Sequence, residues 1–321
     1  MSRGNWEGLG WAWDWTDHAE VRARLDAGAD PDAWGGGRLL NRAIVSGSPE
    51  VVAELAGRVT DVDARESGVT ALWKAVLYHR VEHARILTAA GADPWLPQLG
   101  GWSPGRLSLA GPTPDLFERP EDQPGLTEQE RRTADEAARL LSALGEFYYD
   151  GMSVACVAGI DADEAVRRLE AEEVDPETLA ELLADPFEFD MDESLLIIGV
   201  TTVPGGCVVS QPWGYSACTP GVLRRLTVGT RGYGVYANPK SGNQGDIARD
   251  GVLEAWDLHP GGGPDVGDSP EDVLVNYLYG HEPMAYACAW AGLRPEDARA
   301  FTGTPDRWVV LPDRDYWDSQ G

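Results

Sequence analysis

The tetrapeptide Gly28-Ala29-Asp30-Pro31 returns further along the chain as Gly91-Ala92-Asp93-Pro94. Halfway between, Val59–Ala64 (VTDVDA) lies over Gly28–Ala33 (GADPDA), with Asp30, Asp32 and Ala33 matching Asp61, Asp63 and Ala64. Arg38–Ala43 (RLLNRA) lies over Thr70–Ala75 (TALWKA). A period of about 32 residues constrains the fold more than any other feature of this chain. Each period reads as a turn, a short helix and a longer helix. Val51, Val52 and Leu55, and later Val81, Ala84 and Leu87, stand at helical spacing and mark one apolar face per unit. A helix pair with one apolar face cannot bury it alone, so successive units must stack into a continuous core.

The AGADP turns and the hexapeptide Thr70-Ala71-Leu72-Trp73-Lys74-Ala75 resemble the ankyrin repeat, whose signature there is T-P-L-H-x-A. Trp73 stands where that family has histidine, which removes the family's capping hydrogen bond to the turn. The resemblance implies an all-α solenoid over residues 17–145. It also implies protein binding through the turn tips and the concave face of the first helices. Carried onto this chain, those positions include Trp34, Arg65, Glu66, Trp73, Trp95 and Trp102, and tryptophan and arginine are residues that anchor interfaces. Residues 1–16 read as a tryptophan-rich cap in which Trp11, Trp13 and Trp15 close the open end of the stack.

Gly101-Trp102-Ser103-Pro104-Gly105 matches G-x-S-x-G, the nucleophile elbow of serine hydrolases. The chemistry rejects that reading. The elbow's oxyanion hole uses the N–H of the residue after the serine, and Pro104 has none. Ser103-Pro104 falls one further period after Thr70-Ala71, where the repeat starts a first helix. Ser103 is therefore expected as a helix cap, with Pro104 at the first position. The third unit then carries a Pro-rich acidic insertion at about 110–126. A long helix follows, with Thr127 and Glu130 as its capping box and Gly145 at its end.

From residue 146 the pattern changes to an α+β domain with a mainly antiparallel sheet, running to residue 321. Met152–Ile160 and Glu193–Thr202 read as strands, and Asp161 and Thr219-Pro220 as helix starts. Asp250-Gly251 reads as a hairpin turn. The order of elements from Met152 to Gly303 resembles a family of uncharacterised actinobacterial proteins, some with ankyrin repeats in front. That resemblance implies a fold relationship and carries no activity.

Within the second domain, Trp213, Tyr215, Cys218, Lys240 and His259 are the candidate pocket residues. Cys218 precedes a helix N-terminus, a position that can activate a thiol. Lys240-Ser241-Gly242 matches one motif of penicillin-binding enzymes, but no S-x-x-K accompanies it. The Asn238–Gly245 stretch reads as a loop between strands. The four cysteines, Cys156, Cys207, Cys218 and Cys288, form no C-x-x-C pair, so neither zinc nor any other cofactor is expected.

The formal net charge of −27 divides unevenly. Residues 1–145 hold 22 acidic and 15 basic side chains, and residues 146–321 hold 31 and 11. Such a surface repels phosphate and anionic lipid, which argues against nucleic-acid and membrane partners and for a basic protein. No stretch is long and apolar enough to span a bilayer, and residues 1–10 show no basic-then-apolar leader. The expectation is a cytoplasmic, non-enzymatic protein-binding protein, with toxin neutralisation as its specific version. The alternative is a small-molecule or enzymatic site in the second domain.

Overall fold

The computed structural model of the chain describes residues 6–8, 15–33, 37–186 and 188–317. Trp11, Trp13 and Trp34 lie outside the described residues. Among those described, the helices in chain order begin with α1 (His18–Asp26), α2 (Leu39–Ser46), α3 (Pro49–Ala56), α4 (Ala71–Leu77), α5 (Val81–Ala89), α6 (Pro104–Ser108) and α7 (Glu128–Leu144). Strand β1 (Ser153–Ala158), α8 (Ala162–Leu169), β2 (Glu172–Glu173), α9 (Pro176–Ala184), α10 (Met191–Leu196), β3 (Ile197–Val203) and β4 (Gly206–Gln211) follow. Next come α11 (Pro220–Leu226), β5 (Arg231–Asn238), β6 (Gly242–Arg249), β7 (Val252–Leu258), α12 (Pro270–Leu278), α13 (Pro283–Ala291), α14 (Arg299–Thr302) and β8 (Arg307–Val310).

The chain divides into two compact units, Met1–Ala134 with Gly263–Leu278, and Asp135–Gly262 with Tyr279–Gly321. The first unit is helical. Helix α2 packs on α3 and α4, α4 on α5, and α3 on α5. Val51, Val52, Leu55, Ala84 and Leu87 are fully buried, as their spacing predicts, whereas Val81, the first residue of α5, is only half-buried and His83 takes a buried place on that helix. The hydrogen bonds repeat with the sequence. Asp30 Oδ1 accepts the Asp32 N–H at 2.9 Å, Asp61 Oδ1 the Asp63 N–H at 2.9 Å, and Asp93 Oδ1 the Trp95 N–H at 2.8 Å. Short carboxylates close these turns by bonding backbone two positions on. Each period also ties to the next: Asp32 accepts the Thr60 N–H at 3.0 Å, and Asp63 accepts the Asp93 N–H at 3.0 Å.

The helix starts behave likewise. Thr70 Oγ1 accepts the Trp73 N–H at 3.1 Å, and Ser103 Oγ accepts the Arg106 N–H at 3.2 Å. Ser103 is therefore a helix cap, as its place in the period predicts. Thr70's own N–H donates to Gln98 Oε1 at 2.8 Å, and Arg38's N–H to Glu66 Oε2 at 3.3 Å. Gln98 stands one period after Glu66, just as Thr70 stands one period after Arg38. Glu66 and Gln98 thus accept from equivalent backbone N–H groups one period apart. The capping box forms as expected: Thr127 Oγ1 accepts the Glu130 N–H at 3.2 Å, and Glu130 Oε2 accepts the Thr127 N–H at 2.7 Å.

Two features depart from a single boundary at 145/146. The division between units falls inside α7, after Ala134. Residues 263–278, late in the chain, belong to the helical unit. There Trp102 Nε1 donates to the Pro270 carbonyl at 2.8 Å, and Val273, Leu274 and Tyr277 join the same core as Leu99, Trp102 and Leu107. The 110–126 insertion contributes too, because Phe117 is buried in that core. No periodicity marks α12 as a repeat helix, so only the folded chain reveals the pairing.

The second unit is an eight-stranded antiparallel sheet in the order β2-β8-β3-β4-β1-β5-β6-β7. Helices α8 and α11 pack on β3 and β5 respectively, and α13 packs on β1 and β5. Asp250 and Gly251 both take positive φ, 50° and 75°, between β6 and β7, which fits the expected hairpin turn. Two readings are corrected. Glu193–Leu196 is the end of α10 and not the start of a strand, because the Asp190 side chain caps that helix on the Glu193 N–H at 3.0 Å. The Asn238–Gly245 stretch is mostly strand: Gly242–Gly245 pairs with Val235–Asn238, leaving Pro239, Lys240 and Ser241 as the tip.

Candidate functional site

Of the residues the sequence places on a binding face, the three described tryptophans are core. Trp73 is 1 % exposed, Trp102 0 % and Trp95 9 %. On α4 the positions around Trp73, namely Ala71, Leu72, Ala75 and Val76, are all buried, so Trp73 lies within the buried part of the helix. An indole there fills volume and does not meet solvent. Trp102 carries the Arg106 guanidinium over its ring at 4.1 Å. Arg65 is exposed and braces the next turn through the Pro97 carbonyl, 2.7 Å away.

Glu66 leads to a concavity. The turn Glu66–Val69 closes on itself by paired backbone bonds, with Ser67 at φ 52° and Gly68 at φ 84°. This aims the Glu66 carboxylate at the first helices. Its Oε2 accepts Asn41 Nδ2 at 2.5 Å and stands 3.5 Å from Lys74 Nζ. Burial alone would raise the Glu66 carboxyl. The Asn41 amide, the Lys74 charge and the Arg38 N–H outweigh it and hold the group below its ordinary pKa. The carboxylate lines a cavity of about 270 Å³ with Trp15, Asn41, Arg42, Val45 and Lys74. Trp15 is 1 % exposed, stacked on Trp6 at 6.1 Å, with the Arg42 guanidinium over its ring at 5.5 Å. Sequence reasoning found Glu66 through its turn and missed the rest. Asn41, Arg42 and Lys74 are ordinary helix-surface types, and only the one-period offset from Glu66 to Gln98 signals the shared geometry.

In the second unit the candidate residues do not converge. Trp213 stacks on Trp308 at 5.5 Å and donates to the Ser194 carbonyl at 2.9 Å. Tyr215 meets Tyr236 edge-on at 6.2 Å, and Cys218 Sγ lies 3.2 Å from the Tyr215 carbonyl. Lys240 is exposed at the β5–β6 tip, and His259 is exposed in the turn after β7. Among the described residues no hydrogen bond, ion pair or ring contact joins Lys240 or His259 to Trp213, Tyr215 or Cys218. Burial, with the nearby Asp246 charge, pushes the Cys218 thiol far above its ordinary pKa, which is the reverse of an activated nucleophile.

A smaller concavity of about 150 Å³ lies among Phe147, Tyr149, His281, Glu282 and Met284. There burial, with the Glu146 charge, raises the Glu282 carboxyl.

All four cysteines are buried free thiols. Burial also pushes Cys207 up to about 12, and Cys156 is raised by its contact with Cys288, Sγ to Sγ 3.7 Å, and by burial. None of the four is therefore expected to react with Ellman's reagent in the native chain, and all four after denaturation in guanidinium. Rapid native labelling at Cys218 would restore the nucleophile reading.

Among the described residues no group of three or more His, Cys, Asp or Glu is placed to hold a metal ion, and no helix is long and apolar enough to cross a membrane. No protein-family model matches the chain, and no curated protein matches it.

Proposed function

We propose that this chain is a non-enzymatic protein-binding protein of the ankyrin-repeat type, which takes its partner on the face built by α2 and α4. The observation that carries the reading is the recurrence of the same turn bond in three successive periods, and of the same side-chain bond to a helix start in two of them. Stacked turn-and-helix units present such faces by repetition, with little cost to the core behind them. The net charge of −27 favours a basic partner at long range, and neutralisation of a basic toxin is the specific form of that idea.

The test is capture by the tagged full-length chain at low and then high salt, beside Val45→Asp. Val45 is 47 % exposed, so this change spoils the face and spares the fold. A basic protein held at low salt, released by salt and lost with Val45→Asp is the expected result. Retention by Val45→Asp, with loss when Glu181 and Glu188 are changed to Gln, would move the interface to the acidic surface of α9 and the α9–α10 turn. No captured protein at either salt would sink the proposal.

A further inference from the structure

The two edges of the eight-stranded sheet are built differently. At one edge β2 is only two residues long, and both, Glu172 and Glu173, are exposed and charged. Short, charged edge strands keep other chains from pairing. At the other edge β7 runs for seven residues, Val252–Leu258, with no proline and no lysine. It pairs with β6 alone. Outside that ladder, none of its backbone N–H or C=O groups has a hydrogen-bond partner among the described residues. One row of backbone donors and acceptors is therefore open along β7. Exposure alternates on the same strand. Val252 (59 %), Glu254 and Trp256 (72 %) are exposed, whereas Leu253, Ala255 and Leu258 are half-buried. Trp256 makes no ring contact among the described residues. An open edge that carries an exposed indole and an exposed valine lacks the guards seen at β2.

The chemistry of the edge names its occupant. A row of open N–H and C=O groups is matched by another extended backbone, which adds to the sheet as a further strand. The exposed side chains set the pattern of that strand: apolar residues beside Val252 and Trp256, and a basic residue between them beside Glu254. Glu254 accepts Arg249 Nε at 3.2 Å, and a carboxylate has lone pairs for a second cation. Asp250, at the start of the strand, is exposed and has no cation among the described residues. The C-terminal half as a whole, residues 146–321, holds 31 acidic against 11 basic side chains. A second copy of this chain fits less well, because pairing β7 with β7 brings two such acidic halves together. The register of β7 on β6 also shifts twice, between Gly245 and Ile247 and between Ile247 and Ala248. Shifts of this kind bend a strand, and a flexible segment follows one bend more readily than two bent edges match each other.

We infer that β7 is a docking edge for an extended basic segment of a protein partner, which pairs with it as an added strand. Backbone bonds supply the affinity, and the alternation of apolar and basic side chains supplies the selection. β7 belongs to the second unit, so the inference goes beyond the face of α2 and α4 and does not rest on it.

The test is hydrogen exchange on the full-length chain with the peptide acetyl-Lys-Val-Thr-Lys-Thr-Val-Lys-amide, whose one face reads Val, Lys, Val. Two control peptides accompany it: one with every lysine replaced by glutamate, and one with both threonines replaced by proline, which keeps the charge and removes two backbone donors. The expected result is a saturable slowing, by about tenfold, of the amides in Val252–Leu258 that the β6 ladder leaves open. The glutamate peptide should leave them unchanged, and the proline peptide should bind about tenfold more weakly. Trp256→Lys, at an exposed site that spares the fold, should also weaken the lysine peptide by about tenfold. Val45→Asp should bind it as the parent does, so failure at this edge and failure of the α2 and α4 reading are told apart. Exchange at β7 that ignores the lysine peptide, or slows equally with the proline peptide, overturns the proposal. Slowing of these amides with rising protein concentration and no peptide present would make a second copy the occupant and overturn it as well.

Discussion

A fragment ending at Gly145 is expected to lose its cooperative fold, although it holds every repeat visible in the sequence. Cutting there removes α12, and with it Val273, Leu274 and Tyr277, which are 0 %, 3 % and 3 % exposed in the helical core. Burial of one large apolar side chain is worth about 1.5–3 kcal/mol, so the three together contribute roughly 5–9 kcal/mol. Whole domains are stable by only about 5–15 kcal/mol. The cut also leaves the Trp102 indole N–H without its Pro270 acceptor and opens Leu99 and Trp102 to water. Circular dichroism melts of residues 1–145 should show a broad, shallow transition, with strong binding of a hydrophobic dye. Rejoining residues 263–278 through a flexible linker should restore a sharp melt. A sharp melt from 1–145 alone, at the temperature of the full chain, would show that α12 contributes little.

This case marks where sequence reading stops. Periodicity made the repeats legible because identical units bury identical faces: Val51, Val52, Leu55, Ala84 and Leu87 follow from spacing alone. Caps were legible because they are local. Ser103, Thr127 with Glu130, and the Asp250-Gly251 turn each bond within a few positions. The role of α12 was not, because its partners Leu99 and Trp102 lie far upstream in the chain and nothing in its own pattern names them. The division of Glu193–Val203 into helix then strand turned on a single capping bond from Asp190, which an apolar run conceals. At the candidate site, Glu66 was legible as a turn residue. Trp73 was misread because a residue that departs from a resembled pattern says that something differs and not which way the side chain points. The cavity arises from Trp15, α2, α4 and the Glu66 turn meeting in space, and no one of these segments carries its signature.

The same burial decides how interface experiments on this chain are read. Trp73→Ala is expected to destabilise the protein by about 3–5 kcal/mol, the usual cost of deleting a buried indole. Trp73 is 1 % exposed and packed within α4's buried stripe, so the loss combines lost burial with a cavity that surrounding helices only partly fill. Val45→Asp, at a site 47 % exposed on α2, should stay within about 0.5 kcal/mol of the parent. Urea denaturation of the two variants separates them: the midpoint for Trp73→Ala should fall steeply, and that for Val45→Asp should barely move. A partner lost with Trp73→Ala then reports a damaged fold, whereas a partner lost with Val45→Asp reports the face itself. Were Trp73→Ala to leave the midpoint in place, Trp73 would not be core, and its reading as an exposed anchor on the first-helix face would return.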